Sequence, residues 1–169
     1  LVDRAAASRE RNAHVIEYGA GTGRVALALA AAGHDVIAIE SAPAMAAVLR
    51  ERLSLQSVDV QSRMRIVEGD ALQLALDSRA DVAICPFNGL AHFETQAQLA
   101  SFFERVHQRL ERGGLFAFDV GLPSPGVLAG AQSRSPWLDD PRSGRRVRCI
   151  EQFRYDAMSQ VLTTVIEIR

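Results

Sequence analysis

Lysine is absent from this 169-residue chain: all 19 of its basic residues are Arg, set against 20 acidic ones for a net charge of −1. No surplus of positive charge is left for a nucleic-acid backbone, which usually demands a basic face. Cysteine is scarce as well. Cys85 and Cys149 are the only two and lack metal-ligand spacing, so no disulfide framework and no metal site is expected, and the expected compartment is the reducing cytoplasm. No apolar run approaches the ~20 residues of a membrane span, and no basic, apolar leader opens the chain. No internal repeat or low-complexity tract is present. The sequence opens at Leu1 rather than Met and is read as a trimmed fragment. With 48% hydrophobic residues it is expected to form a single globular domain that buries about two-thirds of its chain surface.

What is present is concentrated between residues 15 and 40. A short apolar run around His14 to Tyr18 meets the alternate glycines Gly19, Gly21 and Gly23, and Val25 to Ala32 is an Ala/Leu-rich stretch that favours helix. Gly33 is placed to cap that helix in a left-handed conformation. A second apolar run, Val36 to Ile39, then ends at Glu40. Strand, glycine turn, helix and strand make a βαβ unit with parallel strands. Alternate glycines let the backbone approach a ligand closely, and the helix start presents unpaired N–H groups. A carboxylate at the tip of the second strand can accept both hydroxyls of a ribose. The dinucleotide fingerprint would need glycine at position 24, where Arg24 stands. Glu17, two residues before the first glycine, suits a cationic ligand better than a pyrophosphate. S-adenosyl-L-methionine, with an ammonium, a sulfonium, a ribose and no phosphate, fits both acids.

The pattern Glu17-x-Gly19-x-Gly21-x-Gly23 followed by Glu40 resembles the class I S-adenosyl-L-methionine-dependent methyltransferases. The resemblance implies that Glu17, Gly19, Ala20, Gly21 and Gly23 hold the methionine part and Glu40 the ribose. Ser41 and Met45 match the places that flank the adenosine. Ser41 is also read as a helix N-cap, with Pro43 in the first turn, and Met45 falls on a helical stripe with Val48, Leu49 and Leu53 that reads as core. After a third strand, Met64 to Glu68, the resemblance puts Asp70 and Ala71 against the adenine; Asp70 could equally N-cap a helix from Ala71 to Leu76. Asp81 to Cys85 is the fourth strand. Pro86, Phe87, Asn88 and His92 follow at its tip, where an open parallel sheet binds ligands. Pro86 and Phe87 are assigned to the cofactor, Asn88 and His92 to the acceptor, and His92 is the candidate general base. This tip resembles small-molecule, sugar-N-methylating enzymes and lacks the tetrad of amino-methylating DNA enzymes.

Thr95 to Glu111 reads as an amphipathic helix with Leu99, Phe102, Phe103, Val106 and Leu110 facing the core. Gly113-Gly114 ends it, and Leu115 to Val120 is an apolar fifth strand in which Asp119 is read as a hydrogen-bonded structural residue. Gly121 to Gly144 reads as one long loop. Arg146 to Tyr155 and Gln160 to Ile168 alternate as a hairpin around Asp156 to Ser159, with Val161, Thr163 and Val165 pairing with the face of Val147, Cys149, Glu151, Phe153 and Tyr155. Residues 1 to 12 are expected to end a helix ahead of the first strand.

The expected fold is three-layer α/β: parallel strands in order 3-2-1-4-5, helices on both faces, and a C-terminal antiparallel hairpin. The family's two terminal strands do not occur before Arg169, so the sheet is expected to be incomplete at one edge. The domain is expected to span 1–169, with its core at 13–120 and a loop-and-hairpin insert at 121–169. The expected activity is methylation of nitrogen or oxygen in a small-molecule acceptor, without nucleic acid or membrane, and the hairpin is the expected homodimer surface. Two rivals are an NAD(P)-binding oxidoreductase, opposed by Arg24 and Glu17, and a methyltransferase-like module that binds without turnover.

Overall fold

The computed structural model describes residues 2, 12–129, 133–140 and 143–169; nearly all of the expected N-terminal helix lies outside them. The chain divides into two compact units, Leu1–Val120 and Gly121–Arg169.

In the first unit, β1 (His14–Tyr18), β2 (Asp35–Glu40), β3 (Met64–Glu68), β4 (Ala80–Cys85) and β5 (Leu110–Phe118) form one sheet in the order β3-β2-β1-β4-β5. Every pairing is parallel, as the short βαβ crossovers require. Alternation along the strands sorts two cores. Val15, Val36, Met64 and Val82 face α1 (Arg24–Ala31), α2 (Pro43–Ser54) and α3 (Val58–Ser62) through Ala26, Ala30, Leu49 and Val60. Ile16, Tyr18, Ile39 and Ala83 face α4 (Gln96–Arg109) through Phe102 and Val106. Phe102 is the hub of this second core, with ring centroids 5.0 Å from Tyr18 and 4.7 Å from Phe93.

The helix ends follow backbone chemistry. Gly33, at φ 95, closes α1: its N–H donates to Ala30 O and the His34 N–H to Leu29 O, the paired bonds of a Schellman cap. Thr95 and Gln98 cap each other reciprocally at the start of α4. Three expectations are corrected, and one helix is added. Ser41 is not an N-cap; Ala42 is, because Pro43 at the first helical position holds the residue before it extended. No helix forms from Ala71 to Leu76. Leu72, Leu74 and Leu76 step along the second core at a period of two, which suits an extended path, and the Gln73 and Leu74 N–H groups close a turn on Asp70 O. The added helix is α3, N-capped by Ser57. Gly113 and Gly114 lie inside β5 rather than before it: Ala80 pairs with Leu110 and Val82 with Leu115, so β5 bulges there.

The second unit holds α5 (Pro125–Leu128), β6 (Ser133–Arg134), β7 (Trp137–Asp139), β8 (Arg146–Asp156) and β9 (Val161–Ile168). The stretch read as one loop thus contains a short helix and two short strands. β8 is central, antiparallel to β6, β7 and β9. The hairpin forms, but its register is one residue away from that expected: Tyr155 faces Leu162 and Phe153 faces Thr164. Gln160, at φ 58, belongs to the turn, and that one residue sends Val161, Thr163 and Val165 to the face of Asp156, Arg154 and Gln152. No helix among the described residues is long and apolar enough to cross a membrane.

Gly23 is the tightest of the three turn glycines. It sits at φ 87, and a Cβ there would lie 2.0 Å from Leu49 Cδ1, whereas one on Gly19 would meet nothing within 4 Å. Both positions carry the left-handed penalty, but only Gly23 adds overpacking. Gly23→Ala is therefore expected to destabilise the chain in urea unfolding by about 1–3 kcal/mol more than Gly19→Ala; equal midpoints would refute the packing argument.

Candidate functional site

The carboxyl ends of β1, β2, β3 and β4 deliver the residues of interest to one edge of the sheet. The turn after β1 carries Gly19, Gly21 and Gly23 at φ 71, 58 and 87. It is closed by the Gly23 N–H on Ala20 O and tied to the tip of β2 by the Ala20 N–H on Ile39 O, each 2.9 Å. Glu40, 6% exposed, spans the junction. Its Oε2 accepts the Gly21 N–H and its Oε1 the Ala42 N–H, both at 2.7 Å.

Glu17 shares the face of Val15, turned toward α1, and is 1% exposed. It accepts the Ala26 N–H in the first turn of that helix, where a carboxyl group complements the dipole. Oε2 nevertheless has no partner among the described residues. Burial first, and then the charge of Glu40, push the carboxyl up to about 8, against the pull of the Ala26 bond. A buried, under-satisfied carboxyl beside a glycine turn is costly unless something completes it. A ligand ammonium would do so; a phosphate would meet two acids. The residues present therefore fit S-adenosyl-L-methionine.

Met45 is 49% exposed and lies beside the turn, its Sδ 4.0 Å from where a Cβ on Gly21 would stand. That overturns the core reading: the side chain lies on the rim of the turn. Ser41 is exposed. Asp70 and Ala71 join this edge through the Gly69 N–H on Glu40 O. The Asp70 carboxylate accepts the Leu72 N–H at 2.9 Å and Gln73 Nε2 at 3.1 Å, capping a turn rather than a helix. His92 is exposed at the end of a 3₁₀ turn, Gly89–His92. Cys85 is buried and its thiol is pushed up to about 11 by that burial, so it stays a neutral thiol. No group of three metal-ligating side chains occurs among the described residues.

Two features went unread in the sequence. Arg24, noted only as a missing glycine, lays its guanidinium 3.7 Å from the centroid of the Phe87 ring. A cation in the first turn of a helix opposes the dipole, and that conflict was a legible signal that it needed another partner. Asp119 is hydrogen-bonded, as expected, but to an unforeseen pair: Oδ1 accepts the Phe87 N–H at 2.6 Å and Oδ2 the Asn88 N–H at 3.1 Å.

A family model described as a methyltransferase domain matches residues 15–114, more than half of the chain. The cypemycin N-terminal methyltransferase of a Streptomyces species is 31% identical over 150 residues, which span 88% of this chain and 58% of that one. Among solved structures, the CcbJ methyltransferase of Streptomyces caelestis superposes with a TM-score of 0.75 at 24% identity, covering 98% of this chain and 67% of that one. The S-adenosylmethionine-bound amino pentose methyltransferase CalS10 of Micromonospora echinaspora does so at 0.68 and 21% identity, covering 99% and 72%. Ribosomal RNA methyltransferases are also among the relatives. The chain spans no more than 58% of the length of these curated relatives. A glycine turn between two buried acids, on a parallel 3-2-1-4-5 sheet, coincides with the matched segment: the chain belongs to the methyltransferase domain family of class I enzymes, whose cofactor is S-adenosyl-L-methionine.

Proposed function

We propose that the protein methylates a nitrogen or oxygen of a small molecule. The observation that carries the cofactor side of this reading is the pair Glu17 and Glu40, one with an unpartnered buried oxygen and the other spanning the glycine turn. The acceptor side is supported by a relative that matches 88% of the chain and whose name describes methylation of an N-terminus, and by the absence of a surplus of basic residues.

In this reading Glu17 and the backbone of Gly19, Ala20, Gly21 and Gly23 hold the methionine part. Glu40 takes the ribose while keeping its two backbone bonds, since each carboxylate oxygen has a second lone pair. Ser41 and Met45 flank the adenosine, Asp70 and Ala71 meet the adenine, and Pro86 and Phe87 border the reacting end. Asn88 and His92 face the acceptor, with His92 as the candidate base for its proton. Bound S-adenosyl-L-methionine supplies an electrophilic methyl on a sulfonium that is already activated. What remains for the chain is to orient the acceptor and exclude water, and positioning alone contributes much of such a rate. The exposed Val165, Ile166 and Ile168 of β9 support a homodimer surface on the hairpin, and the two buried free thiols support a reducing cytoplasm.

Transfer of labelled methyl to a panel of amines, alcohols and RNA tests the acceptor. Labelling of small amines or alcohols is the expected outcome. Labelling of RNA alone would overturn it, and binding without any transfer would indicate a module without turnover.

Glu40→Ala removes both the proposed ribose ligand and the acceptor for two backbone N–H groups. Hydrogen bonds to charged groups contribute about 1.5–3 kcal/mol, so S-adenosylhomocysteine affinity by calorimetry should fall roughly tenfold to a hundredfold. Wild-type affinity in the folded variant would reject Glu40 as the ribose ligand.

Glu17 makes stability depend on pH in a definite direction. With its pKa raised from 4.5 to about 8, the folded chain binds more protons than the unfolded one across that window. Its contribution is therefore present in acid and is lost as pH rises, at up to about 1.4 kcal/mol per pH unit. Urea midpoints from pH 5 to 9 should show Glu17→Gln losing that slope; parallel curves for the two proteins would refute a buried, neutral carboxyl.

A further inference from the structure

Phe87 and Asn88 are two consecutive non-glycine residues in the left-handed region, at φ 58 and 59. Each such residue carries a conformational penalty, and neither aromatic bulk nor a side-chain cap relieves it here. Strain of this kind persists only where the surroundings over-determine it. Three observations identify what does so. The β4–β5 register pairs Cys85 with Phe118, which brings Asp119 opposite the exit of β4. The two oxygens of Asp119 then accept the two successive N–H groups, at 2.6 and 3.1 Å, as a bidentate anion receptor would present them. Next, Gly89 folds the chain back against β4 so tightly that a Cβ there would lie 2.5 Å from Cys85 Sγ, so the turn cannot relax in that direction.

The third observation is where the held turn points. Phe87 is 56% exposed, which is wasteful for a ring this size unless its face has a use. It takes the guanidinium of Arg24, 3.7 Å from the ring centroid, and Arg24 is the first residue of α1, directly after Gly23. A mechanical line thus runs from the end of β5 through the Asp119 carboxylate, the strained backbone and the Phe87 ring to the exit of the glycine turn. Without the carboxylate, Phe87 and Asn88 would relax toward ordinary φ values and the ring would swing off Arg24.

We propose that Asp119 is a positioning residue for methyl transfer: its carboxylate fixes Phe87 and Asn88 in the left-handed conformations that seat Phe87 on Arg24, and so sets one wall of the site beside the glycine turn. This deepens the methyl-transfer reading above and rests on it. Asp119 touches neither cofactor nor acceptor; it acts through the backbone it holds.

The test compares wild type, Asp119→Asn, Asp119→Ala and the double variant Asp119→Ala/Asn88→Gly. Hydrogen exchange of the ligand-free 86–93 segment and calorimetric affinity for S-adenosylhomocysteine are the two readouts. Exchange in that segment should quicken in Asp119→Ala, and affinity should fall roughly three- to tenfold. Asp119→Asn, with one acceptor oxygen left, should lie between, and it carries the test if the alanine variant does not fold. Glycine at 88 tolerates the left-handed state without the carboxylate, so the double variant should recover part of the affinity, a rescue that a merely stabilising Asp would not show. Wild-type binding with unchanged exchange and affinity in the variants overturns the proposal alone. A wild-type chain that does not bind S-adenosylhomocysteine overturns the methyl-transfer reading and the proposal with it.

Discussion

The site depends on one carboxylate with two backbone partners. Glu40 holds Gly21 of the glycine turn with one oxygen and Ala42 at the entrance of α2 with the other. Three pieces of chain that meet at the carboxyl ends of β1 and β2 are thereby locked to a common origin. The glycine turn has only weak means of holding itself, because glycines give up more backbone entropy on ordering than any other residue. A charge-assisted bond to Gly21 offsets part of that cost where the loop must be stiff. The backbone of the same residue carries the tip of β3, since the Glu40 carbonyl accepts the Gly69 N–H. Glu40 is structural in its own right, beside the ribose role proposed for it, and its conservative replacement by Gln would set an amide N–H against a backbone N–H.

Glu17 plays the complementary part. Buried on the sheet face toward α1, it completes one N–H of the first helical turn and leaves an oxygen unpartnered among the described residues. A charged group in that place would be expensive without a counter-ion, so burial favours the neutral carboxyl. In the proposed reading a cationic ligand would reverse the balance and make this burial selective for cations over phosphates, so that one acid fixes geometry and the other discriminates charge.

Much of this was legible because it is local. Gly19, Gly21, Gly23, Glu17 and Glu40 announce a βαβ ligand turn through spacing, crossover rules make the strands parallel, and the strand order came with the family resemblance. What escaped depended on partners distant in sequence or on single-residue offsets. The grip of Asp119 on Phe87 and Asn88 joins β5 to the exit of β4, and no local pattern encodes it. Ser41 looked like a cap by type, but Pro43 decided the matter through its neighbour Ala42. Asp70 looked like an N-cap by type and does accept the Leu72 N–H, but the chain leaves the helical path after the single turn that the Gln73 and Leu74 N–H groups close on Asp70 O. In the hairpin, Gln160 joined the turn and moved every side chain of β9 to the opposite face.

The crossover from β3 to β4 has a consequence for how the edge of the sheet moves. From Leu74 to Arg79 it has no regular hydrogen-bonded structure and is anchored by leucine side chains instead, whereas β1, its glycine turn and α1 are laced by backbone bonds at both ends. Stiffness therefore differs between these two connections. Segments held by side chains alone open more readily than laddered ones and sit at the low end of the local-stability spectrum. The crossover into β4 is therefore the connection that opens first, ahead of the laced turn between β1 and α1.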